Sequence, residues 1–380
     1  MSEVCIVAAR RTPFGRFLGA LSRSSGVELA EHAGAAVLSD IDRSTVDQVI
    51  VGNILSAGQG MNIARQVGVN LGLPIATPAF TVNMMCASGM QAIALGAQAI
   101  RAGEARVVLC GGTESMSNAP HLLLRSRTGI KLGDGKLMDS MLRDGLVDAF
   151  DHQHMAVTAE ALASKYGIGR GQQDEFAAES QRRFEAARQQ GAFDDELVAH
   201  PKLAEDEHPR AETTVESLAE LKPAFAEDGT VTAGNASGIN DGAAMMLLAD
   251  REVAAANGWS IMAVISGTAS VGCEPNLMGL GPVHAIWKLC PDGLAGFDAI
   301  EINDAFAGQV LACVKELDLS VDRFNTNGGA IAVGHPIGAS GARLVTHLAW
   351  RIQRGESRSG LTSLCVGGGM GMAISLRALT

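Results

Sequence analysis

Phe80-Thr81-Val82-Asn83-Met84-Met85-Cys86-Ala87-Ser88-Gly89 passes from a β-branched, strand-like run into small residues that open a helical pattern. Residues 91–101 carry that pattern, with Ile93, Leu95, Ala97 and Ile100 on one face, and it stops at Gly103. A strand that feeds a helix through Cys86 is part of a strand–helix–strand unit. Such alternation builds parallel or mixed sheets with crossover helices. Cys86 sits at the elbow, near a helix N-terminus, where a nucleophile is exposed and small neighbours let backbone crowd a ligand. The aligned amides and the helix dipole there favour thiolate over thiol.

The same order of elements recurs further along. Asp47-Gln48-Val49-Ile50-Val51-Gly52-Asn53 parallels Asp298-Ala299-Ile300-Glu301-Ile302-Asn303-Asp304, and Phe80-Thr81-Val82-Asn83 parallels Phe324-Asn325-Thr326-Asn327. Cys86-Ala87-Ser88-Gly89 parallels Gly338-Ala339-Ser340-Gly341. Gly103-Glu104-Ala105-Arg106 and the apolar run after it parallel Gly355-Glu356-Ser357-Arg358 and residues 364–368, which makes Cys365 the counterpart of Cys110. These ordered matches read as an internal duplication of domain size. The expected fold is therefore α/β, with two similar domains of mixed sheets and crossover helices plus an inserted loop domain. Residues 1–118 and 237–258 form the first domain, 119–236 the insertion and 259–380 the second. The insertion holds the long charged stretches. Within it, residues 174–190 read as an amphipathic surface helix with no functional part.

Composition bounds the remainder. The 380 residues are 47% hydrophobic and 19% charged, with 45 glycines, which is the profile of a globular α/β chain large enough for more than one domain. No apolar run approaches membrane-spanning length, and the N-terminus enters a strand pattern with no signal-peptide features. Seven cysteines, an odd number without CxxC spacing, argue against a disulfide framework or a zinc site and for a reducing cytoplasm. The His152-x-His154 pair lacks further ligand spacing, so no metal is expected. A net charge of −11 disfavours nucleic acid and confines any anionic ligand to a local basic patch.

Three other residues stand in settings that carry chemistry. His335 lies in the glycine-rich turn Gly334-His335-Pro336-Ile337-Gly338, off any helical stripe, and a base of near-neutral pKa there can take the Cys86 proton. Cys365, in Leu364-Cys365-Val366-Gly367-Gly368-Gly369, again follows an apolar run and precedes small residues. Asn303 ends an apolar strand and reads either as a turn residue or as an amide holding a water as an oxyanion donor.

With these motifs in hand the chain resembles the thiolases, most closely the acetoacetyl-CoA (biosynthetic-type) acetyltransferases. The resemblance spans the chain, including Val4-Cys5-Ile6-Val7-Ala8-Ala9-Arg10-Arg11-Thr12-Pro13, Gly111-Gly112-Thr113-Glu114-Ser115-Met116-Ser117 and Thr232-Ala233-Gly234-Asn235-Ala236-Ser237-Gly238. It implies a two-step acyl transfer between thioesters in which Cys86 takes the acyl group and Cys365 removes the α-proton of a second acetyl-CoA. It further implies that His335 and a water on Asn303 form one oxyanion hole, and the amides of Cys86 and Gly367 the other. For coenzyme A it points to His154, Met155, Arg210, Ser217, Phe225 and Ser237, with Met278 and Phe306 along the tunnel. No tightly bound cofactor is implied, CoA being a substrate, and a homodimer or homotetramer is. Two departures stand out: Asp304 where the family has Glu, and a shorter stretch between Phe193 and Arg210. The readings set beside this one are a degradative 3-ketoacyl-CoA thiolase of longer chain length and a non-catalytic acyl-CoA or lipid binder. A ketoacyl-synthase-like enzyme would carry histidine at Cys365.

Overall fold

A computed structural model describes residues 2–379. Its main strands are β1 (Val4–Arg11), β2 (Gln48–Gly52), β3 (Ala79–Val82), β4 (Val107–Ser115), β5 (Asn240–Asp250), β6 (Ala263–Gly272), β7 (Ala299–Ile302), β8 (Ser359–Val366) and β9 (Met370–Arg377). They lie side by side in the order β7-β8-β9-β6-β1-β5-β4-β2-β3. The sheet is mixed: β2 runs parallel to β3 and β4, β7 parallel to β8, and the other neighbours are antiparallel. The two halves meet at β1 and β6, through the register pairs Cys5 with Val264 and Ile6 with Ala263.

The helices that frame the site are α1 (Gly26–Val37), α2 (Ile63–Asn70), α3 (Ser88–Ala102), α4 (Met155–Lys165), α5 (Arg170–Gln189), α6 (Gly281–Leu289), α7 (Ala307–Glu316) and α8 (Ile337–Gln353). Helices α3 and α8 pack on each other and on strands of both halves, while α1 and α6 cover the outer faces. Strand alternation sorts the side chains between these layers. On β4, Val108 and Cys110 enter the central core with α3 and α8, whereas Val107 and Leu109 join α1 and α2 outside. On β5, Met246 and Leu248 face inward and Met245 and Leu247 outward. Strands buried on both faces need near-continuous apolar sequence, which is why residues 243–249 read Ala-Ala-Met-Met-Leu-Leu-Ala. Each such side chain contributes about 1.5–3 kcal/mol of burial free energy.

The duplication is visible in the capping chemistry. Asp47 Oδ2 accepts the amides of Arg106 (2.7 Å) and Val107 (2.9 Å), and Asp298 Oδ2 accepts those of Arg358 (2.7 Å) and Ser359 (3.3 Å). Helices α3 and α8 are followed by left-handed glycines, Gly103 at φ +76° and Gly355 at φ +75°. In the parallel pairs Val49 stands opposite Leu109 and Ile300 opposite Leu361. This register corrects one expectation: the counterpart of Cys365 is Thr113, not Cys110. Matching Leu109-Cys110-Gly111-Gly112 to the Leu-Cys and glycines of 364–368 skipped residues 359–363, which are ordinary strand.

Helix α5 also differs from expectation. It is not a plain surface helix, because Gln173, Asp174, Phe176, Ser180, Gln181 and Phe184 are buried along it. Ser180 Oγ donates to Asp304 (3.3 Å) and accepts the Gly329 amide (3.1 Å), so the helix braces the loop that follows Asn303.

Candidate active site

The elbow at Cys86 is made by backbone strain and one hydroxyl. Met85 takes a left-handed φ of +46°, uncommon for a residue with a side chain. Ser88 Oγ donates to the Met85 carbonyl (2.6 Å) and accepts the Met84 amide (2.9 Å), stitching the turn to the first residue of α3. The Cys86 sulfur receives two backbone N–H groups, its own and that of Gly367. These amides favour thiolate, but burial outweighs them and, with the nearby Glu114 carboxyl adding to it, pushes the thiol up to about 11. The expectation of a resting thiolate is thus corrected: the helix dipole is present, and desolvation is larger.

His335 comes from the second half. Its amide donates to Asn240 Oδ1 (2.9 Å), and its Nδ1 pairs with Ser340 Oγ (2.5 Å), which leaves Nε2 for the cavity. Burial, with the charge of Arg343 adding to it, pushes the imidazole down to about 3. The resting pair is therefore neutral thiol and neutral imidazole. Cys365 lies at the end of β8 and is buried; desolvation and the neighbouring Cys86 hold its thiol well above the usual range. Gly367 follows in the turn to β9, where Gly368 and Gly369 adopt φ of +83° and +82°.

Asn303 follows directly on β7. Its main-chain N–H donates to the Ser363 carbonyl (2.9 Å), yet both polar atoms of its buried amide lack a hydrogen-bond partner among the described residues. A turn or cap residue would have spent that amide on backbone. A buried amide left unpaired costs about 1–3 kcal/mol unless a water or ligand meets it.

Cys86, His335, Cys365 and Gly367 open onto one cavity of about 300 Å³, together with His154, Met155, Phe225, Ser237, Met278 and Phe306. His154 caps α4, its Nδ1 accepting the Ala156 amide (3.1 Å), and stacks on Phe225 at 4.5 Å between ring centres. Burial lowers its pKa, so the stacked ring is neutral. Asn303 is not among the residues that line this cavity, although Ala305 and Phe306, two and three residues after it, are. Arg210 and Ser217 are not part of the lining. Ser217 is exposed and shares a reciprocal cap with Thr214 at a short helix start. Arg210 is exposed as well, with its charge felt by His208, whose ring packs against Gly238 of the cavity wall.

Sequence reasoning missed the supports. Asn240 and Ser340 hold His335, Ser180 braces Asp304, and Glu114 reaches the start of α8. The polar Asn240-Asp241 pair ahead of an apolar run was the one available signal. The remaining lining is apolar: Met116, Leu142, Leu146, Ile239 and Ile337. Chemically, a thiol met by two amides, a neutral imidazole and a second thiol in a mostly apolar cavity is equipped for acyl transfer and for proton removal beside a carbonyl.

Comparison with known proteins agrees. Residues 4–252 match the family model "Thiolase, N-terminal domain" and residues 259–378 match "Thiolase, C-terminal domain". An acetyl-CoA acetyltransferase of Pseudomonas aeruginosa is 48% identical over 394 residues, covering 99% of this chain and 99% of that protein. The crystal structure of human mitochondrial 3-ketoacyl-CoA thiolase in complex with CoA superposes with a TM-score of 0.96 at 43% identity, covering 100% of this chain and 98% of that one. The Bacillus anthracis acetyl-CoA acetyltransferase gives a TM-score of 0.96 at 41% identity, covering 100% and 99%.

Proposed function

The chain belongs to the thiolase family of acyltransferases, and on that premise we propose that it joins two acetyl-CoA molecules reversibly into acetoacetyl-CoA through an acyl-Cys86 intermediate. The observation that carries the reading is the convergence of Cys86, His335, Cys365 and Gly367 on one narrow cavity. Cys86 Sγ attacks the thioester carbonyl as its proton passes to His335 Nε2. The new C–S bond replaces the bond to CoA, and CoA leaves as the thiol with that proton. The amides of Cys86 and Gly367 stabilise the tetrahedral oxyanion, each such donor being worth about 10²–10³ in rate.

In the second step Cys365 takes an α-proton from another acetyl-CoA. For this Cys365 first gives its own thiol proton to His335 Nε2; the raised pKa makes the resulting thiolate a stronger base, and a water on Asn303 with the now protonated His335 Nε2 stabilises the enolate oxygen. The enolate carbon attacks the acetyl carbonyl, the C–S bond to Cys86 breaks, the proton on Cys365 passes to the Cys86 sulfur, and His335 returns its proton to Cys365. Every step uses protein groups, one water and the acyl-CoA substrates, with no resident cofactor. CoA lies along His154, Met155, Phe225, Ser237, Met278 and Phe306, and its anionic end takes Arg210, with Ser217 beside it.

The 3-ketoacyl-CoA thiolase reading draws on one further observation. A second cavity of about 810 Å³ shares Gly145, Met155 and Gly367 with the first, and would admit a longer chain. CoA-dependent thiolysis across a series from acetoacetyl-CoA to long-chain 3-ketoacyl-CoA tests the choice: a steep preference for the shortest supports acetoacetyl-CoA, and a flat or long-chain-biased profile overturns it. Domain limits of 1–118 with 237–258, 119–236 and 259–380 complete the reading. So do a reducing cytoplasmic location, supported by seven free cysteines, and a homodimer or homotetramer. The outermost strand β3, with Phe80 exposed on it, supports self-association. Among the described residues no helix is long and apolar enough to cross a membrane.

A further inference from the structure

Helices α3 and α8 are duplicates, so each half of the fold builds the same seat at a helix N-terminus. In the first half that seat carries Cys86, whose own amide faces its sulfur. In the second half the matching residue is Gly338, and its amide is already taken: it donates to Glu114 Oε2 at 3.1 Å. Glu114 is fully buried on β4. Both of its oxygens accept from the loop after β2, through the amides of Ile54 (3.1 Å) and Leu55 (3.1 Å) and the Asn53 side chain (2.9 Å). All four partners are donors and none is a cation. Any side chain at 338 would collide, because a Cβ there would stand 2.7 Å from Glu114 Oε2 and 2.5 Å from the Thr113 carbonyl.

We propose that Glu114 is a positioning residue that occupies the second, duplicated oxyanion seat and, by holding the Gly338 amide, fixes the His335 turn against Cys86. The inference rests on the roles given above to Cys86 and His335. Gly338 lies three residues after His335, in the first turn of α8, and Ser340 in the same turn grips the imidazole. Glu114 thus ties the loop after β2, strand β4 and the base-bearing turn into one unit. Burial pushes its carboxyl up to about 8, so in the alkaline range where Cys86 titrates it is ionised and opposes ionisation of Cys86. The other groups facing that sulfur are the amides of Cys86 and Gly367 from its own elbow and the β8–β9 turn, Cys365 from β8, and neutral His335 ahead of α8. Glu114 is the one carboxylate among them.

The test is E114Q, which keeps the shape and removes the charge. Expected are a kcat about 10²-fold lower with little change in KM, since the turn loses its anchor, and a change in the resting thiol. The pH midpoint for alkylation of Cys86 by iodoacetamide, followed on the Cys86 peptide by mass spectrometry, should move down by up to about one unit. A purely structural role would leave that midpoint in place. Should E114Q not fold, E114D retains the charge but withdraws it from Gly338, so kcat should fall while the midpoint stays. Normal kcat in a folded variant, or an unmoved midpoint in E114Q, overturns the proposal. Because alkylation needs no substrate, that outcome is separable from failure of the acyl-Cys86 reading, which is judged by acyl labelling.

Discussion

Gly89 of α3 and Gly341 of α8 are each other's counterparts, and each is covered by the other's helix. A Cβ on Gly89 would meet Ala342 Cβ at 3.0 Å and the Gly338 carbonyl at 2.8 Å, and a Cβ on Gly341 would meet Met90 Cβ at 2.7 Å. The two helices cross at the turn that follows their N-termini. That crossing is what delivers Cys86 and His335, far apart in sequence, to one cavity.

The closeness of this crossing predicts a steep cost for widening it. Gly112, beneath it on β4, would place a Cβ 2.1 Å from the Gly338 carbonyl and 2.8 Å from Gly89 Cα, all backbone that cannot step aside. Gly112→Ala should lose about 1–3 kcal/mol or more in urea unfolding. Activity should fall beyond what the folded fraction accounts for. Wild-type stability in this variant would show that the helices can separate freely.

Cys86→Ala should abolish covalent acylation. Incubation with labelled acetyl-CoA followed by denaturing mass spectrometry should find no acyl group on the protein. Full labelling of that variant would move the nucleophile elsewhere.

Cys365→Ala should still acquire an acyl group on Cys86, because the first step needs only Cys86, His335 and the amides. Its turnover in condensation should drop by about 10²–10⁴-fold, the range for loss of a general acid–base group. Normal condensation rates would make Cys365 a packing residue.

Asn303→Ala separates chemistry from stability. Because the amide makes no hydrogen bond to the described residues, its loss should leave the melting temperature nearly unchanged. The condensation rate should fall by about 10²–10³-fold. A large loss of stability with normal kcat would assign Asn303 to the fold instead.

Acid stability should hinge on Glu196. It is buried between Arg11 and His347, with Arg11 Nε donating to it at 2.7 Å, and against the desolvation of burial these two partners hold its carboxyl down at about 2. Its folded pKa lies below the unfolded value, so its contribution is complete above about pH 4.5 and is lost as pH falls towards 2. Wild-type stability should therefore decline through that window by about 2–4 kcal/mol. E196Q should start lower at pH 7 and lose less on acidification; an identical slope would refute the assignment.

The strand–helix rhythm and the duplication were legible in the sequence, and Cys86, His335 and Cys365, which meet at one cavity, stood out because small residues there interrupt otherwise apolar periodic runs. The relation of Cys365 to Thr113 stayed hidden, since register depends on hydrogen bonds between Asp298 and amides that no local pattern reveals. Ser180 and Glu114 were illegible for a related reason. Each acts across a long sequence separation on backbone groups, and its residue type alone reads as surface. The charge states were misread too, because the strength of a helix dipole can be inferred locally while desolvation depends on everything packed around it.

Met85 has a consequence for anyone seeking a hardier version of this enzyme. Its left-handed backbone is a standing charge against stability of about 1–3 kcal/mol. Glycine would lift that burden at once, and a screen for heat resistance would favour it. What the strain does is aim the sulfur, so the hardened protein should be the slower one.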